Sequence, residues 1–199
     1  MMIDGVLNLN KPQGITSRQA LDRIRKLWGV KKAGHGGTLD PDATGVLPIC
    51  LGKATKLFDP LQEGTKSYSA TVTLGITTDT FDASGQVLMT SPTEHISEDQ
   101  IDFVLNSFVG EIDQTVPIFS AVKYQGKPLY KIARQGKQIE NLPSRQVTIK
   151  SIEITLMNLP KFAFKVDCSK GTYIRSLVND VGAQLKCGAI LSQLVRTRS

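Results

Sequence analysis

Twenty-four residues, Ala33 to Lys56 (AGHGGTLDPDATGVLPICLGKATK), constrain this chain more than any other stretch. Gly34, Gly36, Gly37, Gly45 and Gly52 surround His35 and two aspartates, Asp40 and Asp42, that flank Pro41. Glycine at that density lets the backbone pass close to itself or to a ligand. The Asp-Pro step fixes a turn and aims a carboxylate. Backbone so constrained around a carboxylate points to an enzyme.

The chain has 199 residues, 40% hydrophobic and 21% charged, which suits one substantial core with room for a subdomain. It contains no apolar run of about 18 residues, so no membrane-spanning helix is expected. The start, MMIDGVLNLNKPQG, lacks the basic and apolar regions of a signal peptide. Cys50, Cys168 and Cys187 are odd in number, far apart and without a C-x-x-C pair. Free thiols in a reducing, cytoplasmic location are expected rather than a disulfide framework. The net charge of +6 is unevenly spread: residues 71–113 hold eight acids and no Lys or Arg, whereas residues 114–199 hold fourteen Lys/Arg and four acids. Such segregation suits one basic face for a polyanion. The plainer alternative is solvated surface charge.

Strands are expected over Gly5–Asn10, Val46–Leu51, Ser67–Leu74, Val147–Leu156, Phe162–Cys168 and Ala189–Arg196. Thr16 and Gln19, then Ser97 and Gln100, form capping boxes that open two helices. The first helix stops at Gly29 and the second ends at Gly110. A short helix is expected over Ala54–Leu61, and an amphipathic one over Thr172–Lys186. Gly75–Gly85 is an acidic loop or hairpin connection holding Asp79 and Asp82. This mixed order predicts an α+β fold with a largely antiparallel sheet.

Two nucleotide-binding patterns fail at named positions. G-x-G-x-x-G needs glycine where Leu39 stands, and a Walker A loop ending at Gly52-Lys53 needs glycine at Leu47 and Ser or Thr at Ala54. His35, Cys50 and Asp40 have no short metal-ligand spacing, and His95 is the other histidine. Asp40 is the sharper candidate, because a carboxylate acts as nucleophile or base without a cofactor. Its alternative role is to stabilise the turn before Pro41, and Asp42 is its local competitor. In the stretch 123–137, Lys127, Lys131 and Arg134 are spaced to share one face of a short helix opened by Pro128, with Tyr124 and Tyr130 interleaved. Cations neutralise phosphates and aromatic rings stack on unpaired bases; a solvated helix face is the alternative. Arg175 falls in the first turn of a helix, where the dipole disfavours a cation. A carboxylate partner would explain it, as against simple exposure.

GHGGTLDPDATGVLPICLGKATK, the early NKPQG, SYSATVTLG with TDTFDASG, and CSKGTYIRSL together resemble the TruB-type tRNA pseudouridine synthases. The match keeps the same order from about Gly5 to the end. The resemblance implies the pseudouridine synthase fold: a mixed, mainly antiparallel central sheet, flanking helices and a basic RNA-gripping insertion at about residues 115–143. It implies isomerisation of uridine to pseudouridine at position 55 in the TΨC loop of tRNA, with no metal and no organic cofactor. The partner implied is tRNA alone, bound by a monomer with no required protein partner and no membrane. Guide-RNA-dependent relatives lack the insertion, which favours a stand-alone enzyme.

By the same resemblance Asp40 is the catalytic aspartate, attacking C6 of the base or C1′ of the ribose. Tyr68 packs on the base and helps remove the C5 proton. Arg175 pairs with the catalytic carboxylate, which would favour its ionised form. Leu194 lines the uracil pocket, and His35 fills the space left in the loop by extruded nucleotides. Lys11, with Pro12, belongs to the substrate side of the site mainly as structural support, and Lys127, Lys131 and Arg134 grip RNA. Asp82 matches a position whose role is left open. The glycines of the opening stretch are expected to let a flipped nucleotide approach Asp40. Bacterial members usually continue into a small C-terminal RNA-binding domain of the PUA type, so residues 1–199 are expected to be the catalytic domain without it. The competing reading is a non-catalytic tRNA-binding or tRNA-folding module, which keeps the basic surface and does not need the carboxylate.

Overall fold

Thr16 begins the first helix because its side chain accepts from the Gln19 N–H at 3.1 Å while Gln19 Oε1 accepts from the Thr16 N–H at 2.8 Å. That helix, α1, is Ser17–Trp28, and it ends on Gly29 at φ 63°. The same box at Ser97 and Gln100 opens α3, Glu98–Ser107. The structure is a computed structural model and describes residues 3–136, 139 and 141–199.

The strands are β1 Gly5–Lys11, β2 Ala33–His35, β3 Thr44–Leu51, β4 Lys66–Leu74, β5 Ile76–Thr78, β6 Val87–Thr90, β7 Gly110–Thr115, β8 Lys123–Tyr124, β9 Lys127–Pro128, β10 Ser144–Asn158, β11 Lys161–Cys168 and β12 Ala189–Arg198. The remaining helices are α2 Phe58–Gln62, α4 Leu129–Ala133 and α5 Ile174–Gln184. Eight strands make one sheet in the order β1-β3-β12-β4-β11-β10-β7, with β2 added to β3. Every pairing in it is antiparallel except β12 with β3, so the sheet is mixed and mainly antiparallel.

β4 lies near the centre and alternates buried and half-buried residues along its whole length. Ala70, Val72 and Leu74 bury against the α5 side, where Leu177, Val178 and Val181 are also buried. Lys66 and Tyr68 share that face. There the sheet forms the floor of a cleft lined by Tyr173, Ile174 and Arg175 at the start of α5.

Several sequence expectations are refined. The helix expected over Ala54–Leu61 is a 3₁₀ turn, Gly52–Leu57, running into α2. The acidic Gly75–Gly85 stretch includes β5, which pairs with β6 as a separate hairpin. Lys127, Lys131 and Arg134 do not share a helix face. Gln125 and Gly126, at φ 49° and 81°, make a tight turn between β8 and β9. Lys127 therefore lies in a strand, α4 begins only after Pro128, and Arg134 caps it. Lys137 lies outside the described residues.

The glycine-rich stretch serves the protein's own packing. A Cβ on Gly34 would touch Phe58, one on Gly36 would touch Pro48, and one on Gly52 would strike Asp4. At Gly45, φ 101°, a Cβ would run into the backbone of Arg196, where β3 and β12 meet in parallel. Gly45→Ala is expected to cost about 2 kcal/mol or more through overpacking and positive φ. Gly64→Ala, with nothing within 4 Å, is expected to be close to neutral. Urea unfolding of the two variants beside the parent checks the difference.

Candidate active site

Asp40 sits at the head of a tight turn. The Ala43 N–H donates to the Asp40 carbonyl at 3.1 Å, so the turn is closed by backbone and the carboxylate is left to other work. Three contacts hold the turn from behind. Ser17 Oγ accepts from the Leu39 N–H at 2.8 Å and donates to its carbonyl at 3.0 Å. The Gly14 N–H donates to the Pro41 carbonyl at 2.9 Å. Lys11 Nζ donates to the carbonyls of Pro12, Ile15 and Pro41 at 2.9, 2.7 and 3.0 Å. Lys11 is wholly buried and its three donors are occupied. It props the Asp40 turn from behind, which fits the support reading of Lys11.

The half-buried Asp40 carboxylate faces Arg175, whose Nε is 3.4 Å from Oδ2. Arg175 is 4% exposed. Its Nη2 donates to the Phe119 carbonyl at 2.6 Å and its Nη1 to the Thr80 carbonyl at 3.4 Å, while Nε makes no aligned hydrogen bond. The cation at the start of α5 thus has a carboxylate opposite it. Burial pushes the Asp40 carboxyl above its ordinary value of 3.8, Arg175 pulls it down, and Asp82 adds a smaller upward push. Burial prevails, so Arg175 favours the ionised form without restoring an ordinary acidity.

Asp40 lies where two lobes of the cleft meet. One, of about 320 Å³, is lined by Gln13, Asp40, Asp42, Asp82 and Leu194 among others. The other, of about 590 Å³, is lined by Tyr68, Leu194, Arg175, Arg196, Lys66 and Lys170 among others. Tyr68 is buried on the floor, its phenol pushed above its ordinary value by burial and eased back by Arg196. Leu194 is half-buried and belongs to both lobes. Asp82 is fixed in its loop, with Oδ1 accepting from Thr80 Oγ1 at 2.7 Å and from Ser84 Oγ at 2.6 Å. Tyr173 sits at the cleft mouth with the guanidinium carbons of Arg145 and Arg175 at 5.3 and 5.8 Å from its ring centre. Gln114 clamps its backbone at both N–H and carbonyl, at 2.7 and 3.0 Å.

His35 stands apart. It ends β2, half-buried, with Nδ1 buried and unpartnered, and it lines neither lobe of the cleft. Burial, then Arg196 and Arg18, holds its imidazole below the ordinary value and hence neutral at pH 7. Lys127, Lys131 and Arg134 are exposed, with Arg134 over the Tyr130 ring at 5.6 Å. Tyr130 is the residue of that segment's helix that lines the cleft. Among the described residues, no cluster of three or more His, Cys, Asp or Glu has metal-holding geometry. Nor is any helix there long and apolar enough to cross a membrane.

Arg196 is the residue that the sequence did not disclose. It is 2% exposed, pairs across strands with Tyr68, and donates from Nε to the Val46 carbonyl at 2.7 Å and from Nη2 to the Gly37 carbonyl at 3.1 Å. The available signal was parity: residue 196 shares its strand face with Leu194, a face already assigned to the pocket.

This mixed sheet, with an aspartate turn facing the arginine at the start of a helix, is the pseudouridine synthase fold. Residues 25–174 match the family described as TruB family pseudouridylate synthase (N terminal domain), and the chain belongs to that family. It is 49% identical over 197 residues to tRNA pseudouridine synthase B of Clostridium novyi, covering 99% of this chain and 68% of that protein. For the protein of that name from Syntrophotalea carbinolica the identity is 46%, covering 99% and 64%. Among solved structures, a chain in a Cbf5-Nop10-Gar1 complex superposes with a TM-score of 0.76 at 36% identity, over 98% of this chain and 48% of that one. A chain in an H/ACA RNP bound to a substrate RNA containing 2′-deoxyuridine gives 0.72 at 33% identity, over 98% and 47%. The chain therefore spans about two thirds of these curated relatives and about half of the solved chains.

The pair Asp40–Arg175 gives a titration that needs no substrate. The Asp40 carboxyl should titrate above 3.8. In Arg175→Met it should titrate higher still, because the opposing cation is gone. Carboxyl-carbon NMR of both proteins checks the order, and a downward move in the variant would contradict it.

Proposed function

We propose that this chain isomerises uridine to pseudouridine in tRNA, at position 55 of the TΨC loop, with Asp40 as nucleophile. The observation that carries the reading is one cleft in which the Asp40 carboxylate, 3.4 Å from Arg175, shares its lining with Tyr68 and Leu194. The curated relatives' name, tRNA pseudouridine synthase B, supports the same substrate class. The work takes place in the cytoplasm, where tRNA is found.

The target uridine must leave the stack, since neither C6 nor C1′ is reachable inside a loop. Its base enters the cleft against the Tyr68 ring and Leu194. Asp40 attacks C6 or C1′, and the C1′–N1 bond breaks. The detached uracil turns and C5 bonds to C1′; the bond to Asp40 breaks with its electron pair returning to the carboxylate, the C5 proton leaves to solvent and N1 gains a proton. No atom or electron is gained or lost overall. Tyr68 helps remove the C5 proton. Arg175 faces the carboxylate and favours the charged form that a nucleophile needs. The exposed Lys127, Lys131 and Arg134 meet RNA phosphates from the segment at about 115–143, outside the chemistry.

Tritium release from tRNA carrying 5-tritiated uridine tests the reaction. The parent protein should release it, and Asp40→Asn should lose turnover while still binding tRNA. Full release by Asp40→Asn would end the nucleophile assignment. Binding without release by the parent would favour a tRNA-binding or tRNA-folding module. For the basic segment, joint charge reversal of Lys127, Lys131 and Arg134 should weaken tRNA binding and flatten the salt slope by about 0.7–0.9 for each phosphate no longer neutralised. An unchanged slope would return those residues to the solvated surface.

A further inference from the structure

The cleft carries its charge unevenly. Its smaller lobe holds Asp40, Asp42 and Asp82, and the larger lobe adds Lys66, Lys170 and Arg196. Lys66 is the unusual member. It is 5% exposed, yet its Nζ makes a single long hydrogen bond, 3.3 Å to the Leu61 carbonyl. An ammonium has three donors. Among the described residues no carboxylate lies within ion-pair distance of it, and its cationic neighbour Arg196 adds to the cost of its charge. Arg196 differs in having backbone carbonyls for its charge. A buried cation without a counter-charge is expensive in a folded protein. Lys66 nevertheless lines the cleft.

The surroundings of Lys66 fit an anion. Lys170, Gly171 and Thr172 line the same lobe. Lys170 is exposed, with only a 3.8 Å contact to the equally exposed Glu63. Arg145 reaches over the Gly171 turn, donating from Nη1 to its carbonyl at 3.4 Å. Lys66 and Tyr68 are two residues apart on one face of β4, which separates them by about 6.6 Å along the strand. That separation is comparable to the distance between a base and the phosphate of its own nucleotide.

We propose that Lys66, with Lys170 at the rim, is a phosphodiester subsite: it binds the backbone phosphate flanking the nucleotide whose base lies against Tyr68. The proposal rests on the pseudouridine synthase reading and adds a direction to it. The RNA strand enters with its phosphate at the lysine end and its ribose and base toward Asp40. The anion supplies the counter-charge that the folded protein does not give Lys66. Burial and Arg196 hold the free lysine's pKa below its ordinary value, and a bound phosphate would raise it again.

The test uses a T-arm stem-loop RNA in which the phosphate 5′ or 3′ of the target uridine is replaced by an uncharged methylphosphonate. Affinities are measured in the Asp40→Asn background, so that the RNA is not converted. One of the two replacements should weaken binding about tenfold when Lys66 is present. Lys66→Met should lose about tenfold on the native RNA and nothing further on that modified RNA. Losses that multiply would overturn the subsite. So would native-like binding of both modified RNAs, an outcome that requires no lysine variant. If Lys66→Met does not fold, Lys170→Ala on the exposed rim replaces it, with a smaller loss of about threefold that again vanishes on the modified RNA. Tritium release by the parent protein is followed in parallel. Absence of release with the coupling intact would defeat the enzyme reading and leave the phosphate subsite standing.

Discussion

The seating of Arg196 against the glycine-rich stretch is the contact on which the rest of the site depends. β12 is the one strand that joins β3 in parallel, and it does so only at Val195 and Arg196. The Arg196 backbone fills the space that a side chain at residue 45 would take, and its guanidinium reaches the carbonyls of Gly37 and Val46. One residue thus clamps both sides of the loop that carries Asp40. On its other edge β12 pairs with β4, where Arg196 stands opposite Tyr68. The carboxylate turn and the tyrosine come from distant parts of the chain, and this short junction sets their separation. A glycine density that looked like room for a ligand is, at Gly37 and Gly45, room for Arg196.

Much of the fold was legible because it is local. Capping boxes at Thr16 and Ser97 are hydrogen-bond patterns written three residues apart. β-Branched alternation at Ser67–Leu74 and the Val147–Cys168 pair gave strands that the structure extends by a residue or more. What failed was local sequence overridden by backbone. Lys127, Lys131 and Arg134 have helical spacing, but the Gln125-Gly126 turn and the extended Pro128, at ψ 135°, place Lys127 in a hairpin. β2 was missed because three residues, Ala33–His35, carry no periodicity of their own and are strand only because β3 is beside them.

Within the site, Asp40 was legible as a carboxylate in constrained backbone, and the resemblance named its company. The structure puts Tyr68, Arg175 and Leu194 in its cleft and leaves His35 outside the cleft lining. The buried cations of β4 and β12, Lys66 and Arg196, were not legible. A lysine or arginine in a strand reads as surface, because nothing in sequence tells which basic residue has its charge met by carbonyls, as Lys11 and Arg196 do, and which has not. Lys66 belongs to the second kind, and only three-dimensional accounting of partners separates them.

The Asp40–Arg175 geometry is itself informative about what the pair can do. A fork-on-fork guanidinium–carboxylate contact would hold both oxygens in strong hydrogen bonds and blunt their nucleophilicity. Here the guanidinium gives Nη1 and Nη2 to the carbonyls of Thr80 and Phe119, and turns only Nε, at 3.4 Å, toward one carboxylate oxygen. The cation is therefore fixed by the protein rather than by Asp40, and it supplies field more than hydrogen bonding. Burial and Asp82 push the carboxyl toward its neutral form, while Arg175 opposes them from that fixed position. Such a carboxylate is ionised only above a raised pKa and is more basic than an ordinary surface aspartate. The two carbonyls that anchor Arg175, from the β5–β6 hairpin connection and the loop after β7, therefore bear on the charge of Asp40 without touching it.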